Sequence, residues 1–253
     1  MSGNDVERQA LLPPPHTRQD SDVHHRAADS VLQRQELRPR DPPLWGLASI
    51  SLLAIVGYTW YTVFVHADFI QMGYFAVHPT LQTAAVLAFA MGVMTLQPTL
   101  SAASKEAGRT RHQKFQLGLG FPLIILGSLA VIVHKEKMGW GHFTSLHSRF
   151  GLASLILLVI QGVAGAASLW GKGIMVGGEE RGKALWKWHR LLGYIILPML
   201  LITISMGGTT TYWGKMNTNL AGRIVFYYIA PAYALVALWG RARVHKMPQL
   251  GFK

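Results

Sequence analysis

Beyond its first 43 residues the chain is dominated by uncharged runs of about the length needed to cross a lipid bilayer: 44–65, 115–134, 150–171, 191–214 and 224–240. A hydrocarbon core about 30 Å thick needs about 20 residues of helix. A further uncharged run, 69–104, is too long for one straight helix, but Pro79 and Pro98 bracket a single span inside it. Lipid offers no hydrogen-bond partners to a backbone, so each run is expected to be an α-helix, which satisfies its own polar groups. The spans are expected near 44–65, 76–97, 115–133, 148–170, 190–211 and 223–240. The fold class expected is therefore an all-α membrane protein with six transmembrane helices.

Composition excludes several chemistries. Half of the 253 residues are hydrophobic and 14% are charged, where ordinary soluble domains carry about 25% charge. Cysteine is absent, which removes disulfides, iron–sulfur clusters, covalently attached c-type haem, thiolate-ligated zinc and cysteine nucleophiles. Histidine is left as the main candidate metal ligand.

Three regions follow. Residues 1–43 hold six of the twelve prolines and seven of the twelve acids without hydrophobic periodicity, and read as a disordered cytoplasmic tail. Its first apolar stretch is too short for a signal peptide and runs directly into PPP. Residues 44–240 form the six-helix domain, and 241–253 a cytoplasmic C-terminal tail.

Orientation follows from the basic residues. Arg8, Arg18, Arg26, Arg34, Arg38 and Arg40 precede the first span; Lys105, Arg109, Arg111 and Lys114 follow the second; Lys172, Arg181, Lys183 and Lys187 follow the fourth; Arg241, Arg243, Lys246 and Lys253 follow the sixth. The opposite connections carry only Lys135, Lys137 and Lys215. Cytoplasmic loops collect Lys and Arg, so both termini are expected in the cytoplasm. The net charge of +12 then needs no nucleic acid to explain it; its partner is the lipid bilayer.

Four histidines open four consecutive spans: His78 the second, His112 the third, His147 the fourth and His189 the fifth. Successive helix starts fall on alternate faces of the membrane, because a 20-residue helix rises about 30 Å. His78 and His147 therefore share the outer leaflet, and His112 and His189 the inner one. An imidazole at membrane depth is costly without a partner. Two pairs of imidazoles in a four-helix core of spans 2 to 5 fit axial ligation of two b-type haems, each iron taking one histidine from each of two helices. Closed zinc sites want four ligands, and no cysteine or carboxylate stands near these pairs. Gly118, Gly120, Gly127, Gly151, Gly162, Gly165 and Gly193 would let a flat macrocycle approach the backbone, although membrane helices also use glycine to pack.

Four segments resemble the cytochrome b561 family of transmembrane oxidoreductases: VHPTLQ around His78, RTRHQKFQ around His112, VHKEKMGWGHFTSLHSRFGL leading to His147, and WKWHRLLGY around His189. The covered region runs from about Tyr74 to Met206, with 34, 35 and 42 residues between successive ligands. The connection LQPTLSAASKEAGRTRH lacks the tyrosine–arginine segment of the ascorbate-reducing branch and is closer to the b561-domain-containing branch of animals. Arg149 stands where the family often has tryptophan. The resemblance implies two haem b groups, held by His78/His147 and His112/His189. It also implies electron transfer from a cytoplasmic reductant, typically ascorbate, to monodehydroascorbate or a ferric chelate on the other side, and it leaves room for a homodimer.

Residues beside the haems offer compatible chemistry. Lys105, Arg109, Arg111, Lys114 and Lys187 form a cationic funnel at the inner pair that would attract an anionic donor, with Arg111 and Lys187 nearest the ligands in sequence. At the outer pair His134, Lys135, His142 and Arg149 gather. His142 is five residues before His147, about 140° away on a continuous helix, so it would contact an acceptor or exchange protons rather than ligate the same iron. Glu7-Arg8-Gln9-Ala10-Leu11-Leu12 resembles an acidic dileucine sorting signal and favours an endosomal, vacuolar or other endomembrane over the plasma membrane.

A different class of function would be a haem-free transporter whose histidines relay protons. It requires ionisable residues near mid-membrane and discontinuous helices. Asp68, Glu106, Glu136, Glu179 and Glu180 all fall in connections, which leaves such a path little besides histidine.

Overall fold

The computed structural model describes residues 38–96 and 102–242. Most of the expected N-terminal tail, the dileucine-like segment, Pro98 and the C-terminal residues from 243 onward, His245 among them, lie outside the described residues. Six helices are long and apolar enough to cross a membrane: α1 (Asp41–His66), α2 (Tyr74–Met94), α3 (Ala102–Met138), α4 (Leu146–Leu169), α5 (Glu179–Thr209) and α6 (Leu220–Arg241). No strand occurs among the described residues. The all-α, six-span expectation therefore holds.

Two helices are longer than the uncharged runs suggest, and this corrects the expected place of two histidines. α3 begins at Ala102 rather than near 115, and α5 at Glu179 rather than near 190. The added segments, AASKEAGRTRHQ and EERGKALWKWHR, are polar but rich in Ala, Lys, Glu and Arg, which favour helix. Ion pairs Arg109–Glu106 and Lys183–Glu179 brace one turn to the next. Glu179 and Glu180 occupy the first turn of α5, where the helix dipole favours acids. His112 and His189 thus stand ten residues inside their helices, whereas His147 lies in the first turn of α4 and His78 directly after the first turn of α2. Asp41–Pro43, expected in the tail, form the first turn of α1, where proline needs no hydrogen-bond donor.

The apolar core is unevenly shared. Ala48, Leu52 and Ile55 of α1, Ala85, Val86 and Phe89 of α2, Leu197, Leu200 and Leu201 of α5, and Ala234 and Ala237 of α6 build it, while α3 and α4 add only Ile124 and Leu158. Elsewhere α3 and α4 turn Leu126, Leu129, Ile156, Ile160 and Val163 outward, as surfaces that meet lipid do. Helix α2 packs along α3 and α4 along α5, whereas contact between these two hairpins is sparse. Helices α1 and α6 lie against each other and flank α2 and α5.

One end of the bundle is fastened by charge. The buried Asp41 accepts from Arg38 at 2.9 Å, and Arg38 also donates to Arg241 O at 2.8 Å. Arg241, 5% exposed, donates to the backbone carbonyl of Asp41. The start of α1 and the end of α6 are thereby joined. This end, which also carries His112 and His189, is called the inner end below.

Candidate functional site

The structure brings His78 to His147 and His112 to His189. Their ring centroids are 6.1 and 6.3 Å apart, and the ring planes cross at 84° and 89°. Each pair takes one ring from the α2–α3 hairpin and one from α4–α5.

Each imidazole is tied to a backbone carbonyl of the other helix in its own hairpin. His78 Nδ1 lies 3.0 Å from Gly127 O, His112 Nδ1 3.1 Å from Gly92 O, His147 Nδ1 2.9 Å from Thr203 O, and His189 Nδ1 3.0 Å from Gln161 O. A carbonyl oxygen only accepts, so Nδ1 carries the proton and donates, and Nε2 keeps a free lone pair. The ties are reciprocal within a hairpin. His78 of α2 leans on α3 and His112 of α3 leans back on α2, while His147 and His189 do the same between α4 and α5.

This donor set fits a metal held from two sides. A metal–imidazole bond of about 2.0 Å on each side spaces two ring centroids by about 6.2 Å, the separation seen in both pairs. Among the described residues no three His, Cys, Asp or Glu side chains gather to hold an ion. Two ligands from opposite sides are what the four in-plane nitrogens of a porphyrin would leave for a protein to supply.

Two glycines keep the rings' surroundings clear. A Cβ on Gly165 would stand 2.7 Å from His189 Cε1, and one on Gly207 3.1 Å from His147 Cε1. Gly207 was not singled out in the sequence, nor was Gly92, whose Cβ would collide with the Gln116 amide.

At the inner end an open cleft is lined by Arg109, Gln113, Leu169, Trp170 and Lys172, and Gln113 follows His112 directly in the chain. Of the cations proposed in the funnel only Arg109 lines it, and Arg109 also pairs with Glu106. Lys105, Arg111, Lys114 and Lys187 are exposed and do not line it. Lys172 enters through the short helical turn that follows α4, with φ of 55°. Its left-handed backbone carries no side-chain signature, and sequence reasoning had placed it only among the topological cations.

At the outer end Phe75 stands between three rings, with centroids 6.1 Å from His78, 5.6 Å from His134 and 6.1 Å from Trp213. Trp213 Nε1 is buried and has no hydrogen-bond partner among the described residues. His142 is set apart: its Nε2 lies 2.7 Å from Glu136 Oε1. Lys135 donates to Gly141 O at 2.8 Å, and Arg149 Nε to Phe143 O at 3.1 Å. These bonds shape the α3–α4 connection.

The histidine-bearing region matches known proteins. The family model described as eukaryotic cytochrome b561 covers residues 65–215, which take in all four histidines. A plant protein from Arabidopsis thaliana, named transmembrane ascorbate ferrireductase 2, is 30% identical over 133 residues, covering 53% of this chain and 56% of that protein. A human protein, named transmembrane reductase CYB561D2, is 25% identical over 171 residues, or 63% of this chain and 77% of the relative. The chain thus spans little more than half the length of the plant relative. With its matched region running from the end of α1 to the turn after α5, this chain belongs to the eukaryotic cytochrome b561 family.

Proposed function

We propose that this chain is a transmembrane oxidoreductase that moves electrons through two b-type haems, from ascorbate or a similar anionic donor at the inner end to monodehydroascorbate or a ferric chelate at the outer end. Members of the family bind haem b, and the plant relative is named an ascorbate ferrireductase. The single observation that carries the reading is the set of four Nδ1–carbonyl bonds, which leave four unprotonated Nε2 atoms in two facing pairs.

His78 and His147 would hold one haem, and His112 and His189 the other. When bound, haem b supplies a one-electron couple at each level. The histidines' task is orientation: each Nδ1–H bond fixes the tautomer, stops the ring from turning and raises the basicity of Nε2. The carbonyl of Gly92, which receives His112, is fourteen residues along α2 from His78, so the two levels lie about 21 Å apart along the helix. That distance spans much of the hydrocarbon layer.

Arg109 and Lys172 bring two positive charges to the inner cleft, Gln113 an amide and Trp170 a flat apolar face. Ascorbate, an anion at neutral pH, matches that lining. Lys105, Arg111, Lys114 and Lys187 would draw the donor towards it. At the outer end Phe75, His134 and Trp213 form the face nearest His78, with His142 at the rim to meet an acceptor. The inner end is assigned to the cytoplasm, with both termini there, from the distribution of Lys and Arg. An endosomal, vacuolar or other endomembrane is the assigned site, from the dileucine-like segment.

The test is purified full-length protein assayed by pyridine haemochrome, then reduced by ascorbate in vesicles loaded with a ferric chelate. Two haems per chain and ferrous iron formed across the membrane are expected. Fewer than one haem per chain in haem-replete protein would overturn the reading.

A further inference from the structure

Four residues after the four histidines stand Gln82, Gln116, Gly151 and Gly193. In the α2–α3 hairpin each glutamine reaches across to the partner helix. Gln82 Nε2 donates to Ile124 O at 3.1 Å and to Ser128 Oγ at 2.9 Å, and Gln116 Nε2 donates to Phe89 O at 3.0 Å. In the α4–α5 hairpin glycine takes the position, and the residue whose carbonyl receives the imidazole lies over it. A Cβ on Gly151 would meet Thr203 Cγ2 at 3.6 Å, and one on Gly193 would meet Gln161 Nε2 at 3.1 Å.

Thr203 and Gln161 therefore hold equivalent posts at the outer and inner ends, but they use them differently. Thr203 turns its hydroxyl back onto Met199 O of its own helix at 2.7 Å. Gln161 sends its amide across to His189 O at 2.6 Å. His189 is thus held twice by one residue, through its ring N–H on Gln161 O and through its own carbonyl. The side chain is placed for its nitrogen alone, since Gln161 Oε1 is buried without a hydrogen-bond partner among the described residues. Leaving an acceptor unsatisfied is costly, and the amide grip is what that cost secures.

We propose that Gln161 is the positioning residue of the inner haem ligand, holding His189 in its orientation and lowering the reduction potential of the inner haem, with no counterpart at the outer one. The inference rests on the haem reading above. The amide ties the backbone of His189 to the same residue of α4 that receives its ring, so the Nδ1–H bond is held in place from two points. A well-formed bond of that kind makes the imidazole more basic and favours the ferric state.

The experiment uses the full-length protein with Gln161→Met, which keeps the shape but loses the donor, and Gln161→Thr, which copies the outer arrangement. Haem content is counted by pyridine haemochrome, both haems are followed by redox titration, and the low-spin ferric signals are read by electron paramagnetic resonance. A His147→Ala background, which leaves the inner haem alone, assigns the signals. In each variant the inner potential should rise and the inner signal should change shape, while the outer haem moves in neither. Unchanged inner potential and signal in a haem-replete variant overturn the proposal, as do equal changes at both haems. If Gln161→Met fails to load, Gln161→Thr carries the same two outcomes, and loss of both haems in each would mark a purely structural residue and overturn it. Wild-type protein without haem would sink the functional reading itself, a separate result read in the same assay.

Discussion

His112 and His189 face each other with ring centroids 6.3 Å apart and planes 89° apart, although one comes from α3 and the other from α5, helices of different hairpins. Each ring is oriented by a bond within its own hairpin, so neither depends on the other pair for its direction. His78 and His147 repeat the relationship at 84°. The first prediction follows from this independence. His112→Ala or His189→Ala should remove the inner haem and spare the outer, and His78→Ala or His147→Ala should do the reverse. Redox titration of each variant should show one potential where wild type shows two. Depletion of one and the same haem by His78→Ala and His112→Ala would refute the pairing.

Space around the ligands should matter as much as the ligands. Gly165→Val puts branched carbon where a Cβ alone already comes within 2.7 Å of His189 Cε1, and should empty the inner site. Gly207→Val should act on the outer site through His147. Gly151→Ala meets only an ordinary contact at 3.6 Å and should keep both haems. The visible absorption spectrum of each purified variant, scaled to protein, decides.

Charge at the inner cleft should govern the approach of the donor. Exposed charges are screened over about 10 Å at 0.1 M salt, so reduction by ascorbate should slow as ionic strength rises. Arg109→Gln with Lys172→Gln should slow it by about tenfold at low salt, equivalent to about 1.4 kcal/mol, because both residues line the cleft. Arg111→Gln with Lys187→Gln, exposed beyond it, should have a smaller effect. Stopped-flow reduction in oriented vesicles measures all three. Equal rates in every protein, with no salt dependence, would mean that these cations only set topology.

The fastening at the inner end should be a matter of stability rather than chemistry. Arg241→Met removes the donor to Asp41 O from a buried position. Hydrogen bonds made by a charged group contribute about 2 kcal/mol, so the melting temperature in detergent should fall by several degrees while both haem potentials stay in place. A shift in either potential would show that the α1–α6 junction reaches the haems.

The six spans and the four histidines were legible because both signals are compositional: long uncharged runs, and imidazoles where the membrane tolerates few polar groups. The helix limits were less so. Charge ends an apolar run but does not end a helix, which is why Ala102–Gln113 and the first turns of α5 were read as connection. The partners of the imidazoles could not be read at all. Gly127, Gly92, Thr203 and Gln161 serve through backbone carbonyls, which every residue has, and only the packing of two helices selects which one receives the ring. Lys172 reads in the sequence only as a topological cation for a related reason, since a left-handed turn brings it to the cleft. Of the two histidines expected at the outer end, His134, the last residue of its uncharged run, is the one whose ring lies against Phe75, while His142 pairs with Glu136.

The reciprocal ties inside each hairpin bear on biogenesis. Both imidazole–carbonyl bonds of a hairpin lie within it, so on the haem reading each hairpin could carry half of each socket before it meets the other. Little protein contact spans the seam between the two hairpins, so the porphyrins would act as its mortar.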